Sequence, residues 1–155
     1  PRDSREPLAN RLFFRKVGLV SLIMAGAAFA VFYHYGASAV SGSVVDELRL
    51  TQAQTAAFMT VIMVHIFYLL TARSLTESAF RRNPFSNKRV FASIILTIAL
   101  HILIVYVLSD IGINPFRVAP IPVQWWIPIV SLGLLGLFAV ELEEFLVKRL
   151  KRRQV

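Results

Sequence analysis

Four long apolar runs separated by polar, basic segments organise this chain: residues 17–35, 53–72, 90–108 and 125–147. Each reaches the ~20 residues that cross a hydrocarbon core of ~30 Å at ~1.5 Å rise per residue. None contains a lysine or arginine. The pattern predicts an all-α fold, an integral membrane bundle of four transmembrane helices in a single domain over residues 1–155. Composition agrees: 56% of the residues are hydrophobic and the mean hydropathy is +0.62. A soluble domain of this size needs far more polar surface, so the bilayer is the expected solvent.

The connections predict orientation. Fifteen of the seventeen basic residues fall in the N-terminal segment, the 73–89 loop and the C-terminal tail, five in each, leaving Arg49 and Arg117 for the other two connections. Under the positive-inside rule the three basic segments are cytoplasmic. Four spans then put both termini on that side. The net charge of +8 follows from this distribution and points to anionic lipid headgroups, worth ~1 kcal/mol per basic residue near the surface. Nucleic acid is not an expected partner, because the basic segments alternate with spans and carry no aromatic stacking platform.

Local signals refine the elements. Gly18, Ser21, Ala25, Gly26, Ala27, Ala28 and Ala30 give the first span small-residue spacings that let helices approach closely in lipid. Gly133 and Gly136 do the same for the fourth. Phe32, Tyr33 and Tyr35 are expected in an outer aromatic belt, with Trp125 and Trp126 marking the same interface on the fourth span. Thr51 is a candidate cap for the second span, and Ser86 or Asn87 for the third. Pro128 belongs in a first helical turn, where a missing N–H costs little. The proline-rich stretch IGINPFRVAPIPVQWW reads as a stiff external hairpin. Glu144 and Lys148 are spaced for an i,i+4 pair.

The residue that asks for chemistry is His65, roughly two-thirds of the way in from the outer end of the second span. An ionisable group at membrane depth is costly and marks a functional position by default. Tyr68, three residues on, shares its helix face. His101 lies about a third of the way in along the third span. Both histidines can hydrogen-bond a neighbouring helix, an interaction of about 0.6–2 kcal/mol; the other options are cation coordination, a proton relay or haem ligation. Haem needs histidines at matched depths, and these differ by roughly a turn. Thr60 and Thr71 are also polar, but helical hydroxyls commonly bond their own backbone.

No cysteine is present, which removes disulfides, thiolate nucleophiles and cysteine metal sites. No phosphate-binding glycine loop, HExxH or nucleophile triad occurs either. No catalytic residue and no cofactor-binding residue is therefore expected in this segment. The first residue is Pro1 rather than methionine, which suggests a processed chain or part of a longer one.

Several pieces, in order, resemble the C-terminal region of type II P-type cation ATPases, the group of the calcium pumps and related bacterial pumps. PRDSREPLANRLFFRKVG is similar to the loop after the sixth transmembrane helix and the start of the seventh. HIFYLLTARSLTESAF resembles the end of the eighth, often EIFYLFNCRSL in bacterial members; IALHILIVYV resembles the ninth, and AVELEEFLVKRLKR the tenth and the tail. The resemblance covers nearly the whole chain. It implies a parent that uses ATP and Mg²⁺, through an aspartyl phosphate, to export a cation, calcium by family default, across a bacterial plasma membrane. The partners implied are the lipid bilayer, the pump's remaining transmembrane helices and cytoplasmic domains, and the transported cation.

The eighth helix supplies a cation ligand in the calcium pumps, and its acidic position matches His65 here. The resemblance thus makes His65 a metal-ligand candidate and puts His65 and Tyr68 on the cation pathway. Neutral imidazole is a poor ligand for hard Ca²⁺, which prefers oxygen, and a protonated one would repel a cation or replace one charge. The rival reading is a stand-alone four-span scaffold or assembly protein in which His65 makes only an interhelical hydrogen bond.

Overall fold

The computed structural model describes residues 11–41, 44–72 and 88–152. Four helical spans long and apolar enough to cross a membrane dominate it: α1 Arg11–Gly36, α2 Glu47–Ala72, α3 Lys88–Ile102, whose span continues to Leu108, and α4 Trp126–Arg152. The expected all-α membrane bundle is what forms. At 26 residues each, α1 and α2 are about 39 Å long, so each overruns its apolar run. Polar first turns extend both: α1 starts six residues before Val17, and α2 six before Ala53.

The extension at α2 has a specific cause. Asp46, not Thr51, caps the helix: its Oδ1 accepts the Arg49 backbone N–H at 2.9 Å, the N-cap geometry that relieves an orphan donor. Thr51 lies inside the helix and donates to the Glu47 carbonyl at 2.7 Å. A two-residue antiparallel ribbon, Val40 opposite Val45 and Ser41 opposite Val44, links α1 to α2. The alternative caps Ser86 and Asn87 lie outside the described residues, as do the side chains of Thr71, Glu144 and Lys148.

α2 is the centre of the bundle. It packs along α1 on one side and α4 on the other, whereas α3 has the least contact with the rest. The core, around Val31, Ala56, Met59, Met63, Val105 and Ile129, lies towards the end of the bundle that carries the 103–125 connection. Glycine sets the α2–α4 approach: a Cβ on Gly133 would meet the Phe67 ring at 2.7 Å and Met63 Cβ at 3.1 Å, and one on Gly136 would meet Val64 at 3.1 Å. The small residues of α1 behave differently. Ala27 is buried, but Gly18 and Gly26 have nothing within 4 Å of a Cβ, so those faces point away from the other three helices.

Beyond α3 the chain widens into a π-helical segment, Leu103–Leu108, closed by the Ser109 N–H on the Ile104 carbonyl at 3.2 Å. The proline-rich connection then folds down onto α2 rather than standing off it. Asn114 ties its own turn at both ends, accepting from Val118 N–H and donating to the Val118 carbonyl. Thr55 Oγ1 accepts the Ala119 N–H at 3.0 Å, and Gln52 donates to the Pro120 carbonyl at 2.8 Å. The Tyr106 hydroxyl completes the latch, donating to the Ile121 carbonyl at 2.9 Å and accepting from Trp126 Nε1 at 2.8 Å.

The two tryptophans do stand at the start of the fourth span, but Trp125 is turned into the bundle. Trp125 is only 7% exposed and stacks on Tyr35 with ring centres 3.9 Å apart, while the Arg49 guanidinium sits 6.0 Å from its ring. Of the α1 aromatics, Tyr33 does face outward. At the opposite end Arg15 pairs with Glu143 at 2.5 Å, joining α1 to α4, and Lys16 beside it is buried.

Candidate functional site

His65 takes its position from the way α2 is rolled in the bundle. Met59, Thr60, Met63 and Val64 are buried against α1 and α4, and Thr60 returns its hydroxyl to the Ala56 carbonyl at 2.8 Å. At ~100° per residue, position 65 lies about 200° around the helix from Met63. His65 accordingly projects from the face that α1 and α4 leave open and is exposed within this chain. Among the described residues it has no hydrogen-bond partner.

That open face borders a crevice of about 340 Å³ between α1, α2 and α3. Its walls are mostly apolar: Val61, Ile62, Ile66 and Leu69 from α2 and Ile94 from α3. Five residues bring other chemistry to it: Met24 from α1, His65 from α2, and Ser93, Thr97 and His101 from α3. Among the described residues no carboxylate lines it. Tyr68 is half-buried and is not among the lining residues; the helix turn that joins it to His65 in sequence carries it off to one side.

His101 arrives at the crevice in a defined state. Its Nδ1 lies 2.7 Å from the Thr97 carbonyl, and a carbonyl can only accept, so Nδ1 carries the proton. In the neutral ring Nε2 then keeps its lone pair. The Phe58 ring, 5.9 Å away centre to centre, flanks the imidazole. Ser93 donates its own proton to the Val90 carbonyl at 2.8 Å, and its oxygen retains acceptor capacity.

Sequence position signalled both histidines but not that they line one space. Measuring depth from the ends of the apolar runs separates the two histidines by a turn, and nothing in that measure tells which helix faces meet. Met24 carries no signal at all as one apolar residue among many. No group of three or more His, Cys, Asp or Glu gathers anywhere among the described residues, so any ion held here draws on other donor types or on groups beyond those described.

Comparison with known proteins adds a family to this geometry. Residues 1–146 match the family described as cation transporting ATPase, C-terminus. The probable cation-transporting ATPase F of Mycobacterium tuberculosis is 28% identical over 133 residues, covering 86% of this chain and 14% of that protein, and its Mycobacterium bovis counterpart matches to the same extent. A calcium-transporting ATPase of Bacillus subtilis is 28% identical over 109 residues, 68% of this chain and 11% of the relative. The chain thus spans about one-seventh of the length of the mycobacterial relatives.

Proposed function

This chain belongs to the family of cation-transporting ATPase C-termini, and from that membership we propose that it braces the transport helices of an ATP-driven cation pump and contributes His65 to the ion pathway. Its bundle leaves one face of α2 uncovered, and the proposal assigns that face to the pump's remaining helices. ATP and Mg²⁺ serve domains outside this segment. The pump lies in a bacterial plasma membrane with the three basic segments cytoplasmic, so α2 runs from outside to inside.

One observation carries the reading: an ionisable side chain at membrane depth projects, without a hydrogen-bond partner among the described residues, into a crevice rather than into the helix core. A histidine kept only to join two helices would be found bonded to one of them, since an unpaired polar group in hydrocarbon costs several kcal/mol. Placed on a pathway, the same group finds its partner in the ion, in water or in a residue of the missing helices. Tyr68, one turn nearer the cytoplasmic end, flanks the same path in this proposal. Calcium is the cation named for the Bacillus subtilis relative, and it is the starting point for this chain.

Replacing His65 by glutamate in the full-length pump tests the assignment. The substitution adds a hard oxygen donor and a negative charge, so the concentration of Ca²⁺ that half-saturates ATPase activity should fall and the order of cation preference should change. Unchanged stimulation by every cation tried would remove His65 from the pathway.

A further inference from the structure

The connection between α3 and α4 is tied to the bundle at the edge of the apolar runs. Ala119 N–H donates to Thr55 Oγ1 at 3.0 Å, and the Pro120 carbonyl accepts from the Gln52 side chain at 2.8 Å. These two residues therefore sit beside the point where the apolar run of α2 opens, at Ala53. The Ile121 carbonyl accepts from Tyr106 at 2.9 Å, two residues short of the end of the third run. From the α3 side, Ile113 N–H returns to the Leu108 carbonyl at 2.9 Å, and Asn114 closes its turn on Val118. Phe116 is three residues from Ala119, a reach of about 11 Å for a straight chain, and the closed turn holds it short of that limit. The interfacial layer beyond the hydrocarbon core is about 5–8 Å deep on each side. The connection lies at that depth rather than out in water.

What it presents there is largely apolar. Residues 110–117 are all exposed, and among them Ile111, Ile113 and Phe116 are 63%, 54% and 66% exposed. Val118, Ala119 and Ile121 are buried against the bundle instead, so the segment packs one set of apolar side chains on protein and leaves another outside. The outer set continues a helix surface: Leu100, Leu103, Val107 and Ile111 are exposed at three- and four-residue spacing. They carry the apolar stripe of α3, the most hydropathic and least buried of the four spans, on into the connection. Arg117 adds the charge. Its side chain makes no hydrogen bond or ion pair with any described residue, and a guanidinium beside apolar side chains at an interface matches a phosphate bidentately.

We propose that the 110–123 connection is an interfacial anchor that binds the phospholipid surface on its side of the bilayer. Ile111, Ile113 and Phe116 enter the acyl boundary, where apolar surface leaves water, and Arg117 reaches a lipid phosphate. The anchor sets the depth at which α3 ends and α4 begins. The inference stands apart from the reading of His65.

The full-length pump in lipid nanodiscs, whose two faces are both open to water, tests it. This chain has no cysteine, so with cysteines elsewhere in the pump replaced, Ile113→Cys, Phe116→Cys and Glu47→Cys each carry one environment-sensitive fluorophore. Glu47 is exposed in the first turn of α2 and stands about 9 Å beyond Ala53 at ~1.5 Å per residue, which makes it the water-facing reference. The labels at Ile113→Cys and Phe116→Cys should lose emission to a phospholipid with a nitroxide high on its acyl chain and keep it in aqueous iodide; the Glu47→Cys label should do the reverse. Iodide quenching at 113 and 116 equal to that at 47 would overturn the proposal and leave the connection in water. Protection from both quenchers would overturn it as well, and would identify a protein cover. Both labelled positions are exposed and each is read separately, so misfolding of one leaves the other to decide. Arg117 has a left-handed backbone, φ 50°, which asparagine tolerates; Arg117→Asn should raise iodide quenching of the Phe116→Cys label, and an unchanged value removes Arg117 from the anchor.

Discussion

Gly133→Ala is the sharpest test of how this bundle is held together. The added methyl carbon would lie 2.7 Å from Phe67 Cδ2, 3.0 Å from its Cε2 and 3.1 Å from Met63 Cβ. Ordinary carbon–carbon contact is about 3.5–4.0 Å, so the first of these is short by roughly 0.8 Å. A ring can tilt, but Met63 Cβ is fixed to the α2 backbone, and relieving that contact means moving α2 away from α4. Overpacking of this kind costs about 1–3 kcal/mol. Replacing glycine by alanine inside a helix returns about 0.8–1.0 kcal/mol, which leaves a net destabilisation of up to about 2 kcal/mol.

The same change elsewhere supplies the control. At Gly136 the nearest atom is the end of the Val64 side chain at 3.1 Å, which can yield, so cost and helix gain should nearly cancel. At Gly26 nothing lies within 4 Å and only the helix gain of up to ~1 kcal/mol remains. Gly133→Ala and Gly26→Ala should therefore differ by about 1–3 kcal/mol, a roughly five- to 150-fold difference in the unfolding equilibrium. Unfolding of the isolated chain in mixed micelles with increasing dodecyl sulfate, followed through Trp125 and Trp126 fluorescence, reads this directly. Equal midpoints for the two variants would refute the close α2–α4 approach.

Two further outcomes follow from contacts at the ends of the spans. Tyr106→Phe removes the donor to the Ile121 carbonyl and the acceptor for Trp126 Nε1; a loss of about 1–3 kcal/mol and red-shifted tryptophan emission are expected in the same micelle assay. For Arg15 and Glu143 a double-mutant cycle with glutamine at each position should give a coupling at the upper end of about 0.2–1 kcal/mol, because Arg15 is 44% exposed but Glu143 only 19%, and added salt should shrink it.

The sequence made the coarse architecture legible because membrane length and charge asymmetry are properties of whole segments. Four spans and the close-packing glycines of α4 follow from composition and spacing alone. Features that depend on how faces meet were not legible. Thr51 looked like a cap because it stood just ahead of the apolar run, yet Asp46 extends the helix into polar sequence, where hydropathy is silent. Trp125 was expected at the interface because tryptophan favours it, but its packed site against Tyr35 was not legible. The pairing of Arg15 with Glu143 spans most of the chain and has no local signature. His65 was visible as a cost; the crevice that explains its position needs α1 and α3 as well.

The two faces of α2 are bound together by helix geometry. Met63 and Phe67 meet Gly133, and this contact fixes the roll of α2 about its own axis. His65, two residues from each of them, must then point to the opposite side, since two residues advance about 200° around a helix. The tight packing of α2 on α4 is thus what aims the imidazole into the crevice, with no contact between Gly133 and His65 required. The loosely packed α3 supplies the facing wall through Ser93, Thr97 and His101. A wall fixed by glycine contacts thus stands opposite a wall with few contacts of its own.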